Sequence, residues 1–82
     1  MIKVLFICHG NICRSTMAQF VLQDLVNRAG YTDNFYIDSM ATSTEEIGNG
    51  PHHGTVAKLR QVGVPVLEHY AKQVRKSDYR NF

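Results

Sequence analysis

A short apolar run, Ile2 to Ile7, passes directly into Cys8-His9-Gly10-Asn11-Ile12-Cys13-Arg14-Ser15, and beyond it apolar residues recur with a helical period. This succession of strand, tight loop and helix constrains the fold more than any other feature of the chain. Loops of this kind suit anions: their amide N–H groups converge on one point, and the positive end of the helix dipole lies there too. The periodic positions Met17, Ala18, Val21, Leu22, Leu25, Val26 and Ala29 predict a helix from near Cys13 to about Arg28, with Gly30 as its stop. After a polar turn, Phe35 to Ser39 reads as a second strand. Strand, helix, strand implies a right-handed parallel crossover and the beginning of an α/β sheet.

The remainder is less regular. Met40 to Gly54 reads as a long loop, and at that end of a parallel sheet loops line the binding crevice. A second helix is expected from Pro51 or His53 to Val62, with Val56 and Leu59 inward and Gly63 as its stop. Val64-Pro65 forces extended backbone. The tail from Glu68 to Phe82 is basic and polar, and Ser77 is a candidate cap for a short last helix.

At 82 residues the chain holds one domain, spanning 1–82, near the size where a single core becomes marginal. Two parallel strands with helices cannot bury both sheet faces and leave no open edge, so the sheet is expected to be incomplete. Two readings follow: the chain is part of a longer domain, or it completes its sheet with a second copy, as a homodimer or by domain swapping. Nine basic and seven acidic residues are scattered and give a net charge of only +2, which provides no footprint for nucleic acid. No apolar run approaches the ~20 residues of a membrane span. The N-terminal run is too short for a signal peptide and includes Lys3. Both cysteines lie in one loop, which is no disulfide framework, so the expectation is a cytoplasmic protein whose cysteines are used for chemistry.

That chemistry can be read from residue types. Cys8 ends the strand facing the loop amides and the helix N-terminus, partial charges that favour thiolate over thiol, and a thiolate is a competent nucleophile at neutral pH. Arg14 offers a planar fork to two oxygens of a tetrahedral oxyanion. Gly10 permits positive φ and close backbone approach, and Asn11 tolerates the left-handed region. Ser15 places a hydroxyl within reach of the Cys8 sulfur, where it stabilises the thiolate as a leaving group. The combination fits phosphoryl transfer through a cysteinyl-phosphate.

These residues resemble the low-molecular-weight protein tyrosine phosphatases, whose N-terminal loop reads Cys-x-Gly-Asn-x-Cys-Arg-Ser. Ile37-Asp38-Ser39, Ile47-Gly48-Asn49 and His69-Tyr70-Ala71-Lys72-Gln73 look like successive segments of that family. The resemblance implies a parallel-sheet α/β fold and a phosphatase acting on phosphorylated protein or small phosphomonoesters, without metal or other cofactor. It makes Cys8 the nucleophile, Arg14 the phosphate clamp, and Ser15 the aid to the leaving thiolate. His9, Gly10, Asn11, Ile12 and Cys13 would line the phosphate-binding loop. Asn11, Ser39 and His69 would support it from behind through a polar network that includes Ser15. Cys13 matches a second loop cysteine able to form a reversible disulfide with Cys8.

The chain also departs from the family pattern. Thr16 stands where the family loop continues into proline. Glu45 occupies the place of an aromatic residue that walls the pocket, so a carboxylate there is expected to disfavour acidic peptides. Family members run well beyond Phe82 and carry an Asp-Pro general acid late in their sequence. No Asp-Pro occurs here, and Asp24, Asp33, Asp38 and Asp78 are not placed to serve. Loss of a general acid removes ~10²–10⁴-fold in rate.

Other readings compete. Cys13 suits a small buried hydrophobe as well as redox duty. A zinc site from Cys8, Cys13, His52 and His53 is opposed by the cysteine spacing and by Arg14; the His52-His53 pair reads as a solvated helix start. His9 reads as the exposed edge of the pocket. Lys72, Arg75, Lys76 and Arg80 read as a solvated face. Within the same fold class, a thiol-dependent arsenate reductase would use the same loop with Cys13 as relay. A non-catalytic oxyanion-binding module is the reading from outside enzymology.

Overall fold

The computed structural model describes residues 1–82. Strand β1 (Ile2–Cys8) leads through the loop into helix α1 (Arg14–Arg28), a 3₁₀ turn (Thr32–Asn34) and strand β2 (Phe35–Ala41). Helices α2 (His53–Gln61) and α3 (Lys76–Asn81) follow. The two strands pair in parallel, from Ile2 opposite Phe35 to Cys8 opposite Ala41, so both end at the same level beside the loop. An extended segment adds a partial third row. The Ala41 amide donates to Lys72 and that of Val74 donates to Ala41, both at 2.7 Å.

The period of two in β2 decides which side chains meet what. Ser39, on one face, bonds Gln19 of α1; Tyr36, Asp38 and Met40, on the other, border an open groove of about 410 Å³ closed on its far side by Asn81 and Phe82. With one helical layer, the domain is only 15 Å deep against 33 and 31 Å in its other dimensions. α1 lies on both strands and α2 on α1. β1 has a partner on one side only, and Ile2 and Ile7 remain exposed.

The helix positions and β1 agree with the sequence reading, and β2 runs two residues past its expected end, taking Met40 and Ala41 from the loop; the inward faces of the helices differ in part. α1 buries Ser15, Thr16, Gln19, Phe20 and Val26, whereas Leu25 is exposed. The inward stripe starts polar because it looks onto the loop and Ser39, and turns apolar only from Phe20. In α2, Thr55 joins Leu59 inside while Val56 is half-buried. Ser77 does not cap α3. It lies within the helix, and the Asp78 carboxylate accepts from the Arg75 backbone N–H at 2.7 Å, closing the first turn from inside. Seven of the fourteen buried residues are polar: Asn11, Ser15, Thr16, Gln19, Asp38, Ser39 and Thr55. Such groups are stable inside only when hydrogen-bonded, and of their side-chain polar atoms only Thr55 Oγ1 is buried without a partner.

Candidate active site

Cys8 sits at the last register position of β1, half-buried at the floor of the loop. Its Sγ lies 3.0 Å from Ser15 Oγ and accepts from the Asn11 backbone N–H at 3.2 Å. Burial pushes the thiol up, but the Ser15 hydroxyl and the amide N–H groups of Ser15, Asn11 and Gly10 outweigh it, so Cys8 titrates below its ordinary value. α1 begins at Arg14 with no side-chain cap on its first turn and no acidic residue within it, leaving the positive end of its dipole at the loop uncompensated. Arg14 itself is exposed.

The loop holds its shape through Asn11, which is fully buried with φ of 57°, alone among non-glycine residues in the left-handed region. Gly10 does not use positive φ; its lack of a side chain matters because a Cβ there would stand 3.3 Å from Glu46 Cγ. The Asn11 amide hydrogen-bonds Ser15 Oγ at 2.7 Å, Ser39 Oγ at 2.8 Å and His69 Nε2 at 2.9 Å. The predicted support residues Asn11, Ser39 and His69 thus meet behind Cys8. Thr16, which stands in place of the family proline, hydrogen-bonds the Cys13 carbonyl at 3.0 Å.

Chain segments distant in sequence clamp the loop from outside. The Thr42 and Ser43 amides donate to the carbonyls of Cys8 and His9 at 3.0 and 3.1 Å, and the His52 amide donates to Ile12 at 2.6 Å. At the rim, His9 Nε2 pairs with Glu45 at 3.1 Å, both side chains largely in solvent. This contact joins two residues that the sequence reading placed separately at the pocket edge.

Three residues behind the loop escaped the sequence reading as supports. Gln19 accepts from Ser39 Oγ at 2.5 Å; Asp38 accepts from Lys72 Nζ at 2.6 Å and lies 3.9 Å from His69 Nδ1. Lys72, predicted to belong to a solvated face, is tied to the buried Asp38. Asp38 stood in the family-like segment Ile37-Asp38-Ser39 without a role of its own, and Gln19, outside the apolar period of the helix, carried no signal. The His69 side chain is 7 % exposed. Its imidazole is pushed below the ordinary value by burial, with Asp38 opposing and Lys72 reinforcing.

Two alternatives change at this point. Cys13 is exposed at the head of α1, so it is not a buried hydrophobe. His52 and His53 stack at 4.2 Å, and His52 Nδ1 accepts from the Gly54 amide, capping α2. No three His, Cys, Asp or Glu side chains are grouped as for a metal. No helix is long and apolar enough to cross a membrane.

The fold and the loop define a class: an α/β domain whose strand-to-helix turn sets a cysteine among anion-suited amides. Residues 3–82 match the model of the family described as low molecular weight phosphotyrosine protein phosphatase, and the chain belongs to that family. It is 44 % identical over 80 residues to the mouse low molecular weight phosphotyrosine protein phosphatase, covering 98 % of this chain and 50 % of that protein. The crystal structure of YfkJ from Bacillus subtilis superposes with a TM-score of 0.96 at 41 % identity, over 100 % of this chain and 52 % of that one. SP-PTP, the low molecular weight protein tyrosine phosphatase from Streptococcus pyogenes, gives 0.90 at 39 % identity, over 100 % and 53 %. The chain therefore spans about half the length of the relatives it matches.

Hydrogen bonding from Ser15 is open to direct measurement. The rate of Cys8 alkylation by iodoacetamide follows the thiolate fraction, so its midpoint in the wild-type chain should lie below that of a free thiol. Ser15→Ala is expected to move that midpoint upward. An unchanged midpoint would show that the backbone amides suffice.

Proposed function

We propose that this chain is the nucleophile-bearing part of a phosphotyrosine phosphatase that works through a cysteinyl-phosphate. The observation that carries the reading is the Cys8 sulfur held by Ser15 at 3.0 Å and the Asn11 amide at 3.2 Å, at the mouth of an uncapped helix. On this reading the phosphoryl oxygens take the loop amides and the Arg14 guanidinium, which stabilise the charge of the trigonal-bipyramidal transition state. Cys8 attacks phosphorus and expels the phenolate; water then attacks the cysteinyl-phosphate and Cys8 leaves as thiolate, with the Ser15 hydroxyl donating to it.

Leaving-group protonation sets the limit on this half. Asp38 is locked to Lys72 behind the loop and Asp78 to the first turn of α3. We infer that these residues deliver attack on phosphorus, with the acid supplied from the part of the family domain that lies beyond them. The test is a series of aryl phosphates with leaving groups of rising pKa. Turnover by the chain should fall steeply along the series, with the p-nitrophenyl ester cleaved best and accumulation of labelled cysteinyl-phosphate on acid quench. A flat series would place a working acid within the chain and overturn this division of labour.

Glu45 sets the rim chemistry. Its carboxylate, shared with His9, is expected to disfavour substrates with acidic residues beside the phosphotyrosine. Because the pair is exposed, the effect is modest. Glu45→Gln should raise kcat/KM for an acidic phosphopeptide relative to a basic one by about two- to fivefold, in line with exposed charge pairs. No change in that ratio would remove Glu45 from the substrate-facing rim.

A further inference from the structure

In a trans peptide the C=O of one residue and the N–H of the next point in opposite directions. A loop carbonyl tied from outside therefore turns the following N–H toward the centre of the loop. Four carbonyls are tied in this way. Thr42 donates its amide to Cys8, and His52 donates its amide to Ile12. The His9 carbonyl takes both the Ser43 amide at 3.1 Å and the Ser43 hydroxyl at 2.8 Å. The Cys13 carbonyl takes the Met17 amide at 2.9 Å and the Thr16 hydroxyl at 3.0 Å. At Gly10 the consequence is visible: with the His9 carbonyl held by Ser43, the Gly10 N–H is among the donors to the Cys8 sulfur.

The Cys13–Arg14 peptide gets little support from its own two residues. Cys13 is the N-cap of α1, yet at φ −125° and ψ −85° it lacks the extended backbone usual at that position, and its side chain makes no capping bond. Cys13 and Arg14 are both exposed, so no packing around them fixes the plane they share. Thr16 differs on each count. It is wholly buried, and its hydroxyl spends its single hydrogen on the Cys13 carbonyl.

We propose that Thr16 is a positioning residue: its hydroxyl fixes the Cys13–Arg14 peptide plane so that the Arg14 N–H stays aimed at the oxyanion in the loop. The aim follows from the direction of the carbonyl. Cys13 C=O points along α1 toward Thr16 and Met17, so the Arg14 N–H points out of the first turn, where the helix dipole also favours negative charge. Arg14 then offers the oxyanion two donors of different kinds, its backbone N–H and its guanidinium, and the pinned plane sets the start of both. A proline at this place would hold the turn through its fixed φ and has no hydroxyl to give. Threonine has no such ring, and the hydrogen bond to Cys13 does the holding instead. The use of this aim rests on the loop taking an oxyanion, as proposed above; the pinning of the peptide does not.

The test uses the ¹⁵N-labelled 82-residue chain and inorganic phosphate. Thr16→Val keeps the side-chain volume and removes the hydroxyl, while Met17 still holds the Cys13 carbonyl, so the fold should survive. Thr16→Ser returns the hydroxyl. In the wild-type chain the NMR order parameter of the Arg14 N–H should be that of rigid backbone, about 0.85. In Thr16→Val it should fall below that level, while the Gly10 N–H, held through Ser43, keeps its value. Phosphate affinity, read by titration calorimetry, should weaken about three- to tenfold in Thr16→Val, as for one lost hydrogen bond, and recover in Thr16→Ser. An unchanged Arg14 N–H or an unchanged phosphate affinity in Thr16→Val would overturn the proposal. Equal loosening of Gly10 would overturn it too, by making Thr16 a structural residue alone. A wild-type chain that takes up no phosphate, with Arg14 still loosened in Thr16→Val, would instead overturn the oxyanion reading of the loop and leave the pinned peptide standing.

Discussion

Cys8→Ser is expected to bring hydrolysis of p-nitrophenyl phosphate by this chain to background, a loss of roughly 10⁴-fold or more, as for nucleophiles elsewhere. The serine hydroxyl keeps the shape of the site, so phosphate binding should persist while turnover and cysteinyl-phosphate vanish. Arg14→Lys separates charge from geometry. Lysine keeps the positive charge but loses the planar fork, and a fall of about 10²–10³-fold in kcat is expected, the cost of a lost transition-state donor. Calorimetry with inorganic phosphate and initial rates on the same preparations read both effects. Residual family-like turnover in Cys8→Ser would sink the covalent route. An Arg14→Lys chain with unaltered kcat would reduce Arg14 to bulk electrostatics.

Asn11→Ala is expected to cost more stability than any other single change at the site. The residue is fully buried, and its amide serves Ser15, Ser39 and His69 together. Removing it strands three polar groups at about 1–3 kcal/mol each when unsatisfied, and alanine tolerates the φ of 57° less well, at a further ~1 kcal/mol. Several kcal/mol is a large share of the stability of a small domain, so Tm should fall by more than ~10 °C at ~4–8 °C per kcal/mol. Asn11→Asp keeps the left-handed tolerance and two acceptor oxygens but no NH₂ donor, and should fall between. Thermal melts followed by circular dichroism decide the order; a melting point within a few degrees of wild type in Asn11→Ala would deny the network a structural role.

Much of this molecule was legible because its chemistry is local. The thiol and the guanidinium lie six positions apart, so spacing alone put one at the end of β1 and the other at the start of α1, on either side of the loop. Gly30 and Gly63 stop their helices with φ of 79° and 77°, as their positions in the sequence implied. The helix faces were less legible. Reading Leu25 as inward followed the apolar period, yet burial goes to Ser15, Thr16 and Gln19, because that end of α1 meets polar atoms of the loop and of β2. Ser77 met the composition rule for a cap, but Asp78 closed the turn with a stronger acceptor.

The sequence by itself determined the order of elements and placed Cys8, Asn11 and Arg14 in one strand-to-helix loop, since that placement depends on neighbours within one turn of chain. Only the tertiary structure decided how Cys8 is tuned and supported. The contacts responsible join residues 28 apart at Asn11–Ser39, 34 apart at Asp38–Lys72 and 58 apart at Asn11–His69. No local pattern encodes those distances; they arise when parallel pairing of β1 and β2 brings both strand ends to one level and the segment after Tyr70 lies down beside them. There burial leaves each polar side chain stable only if it finds the next one.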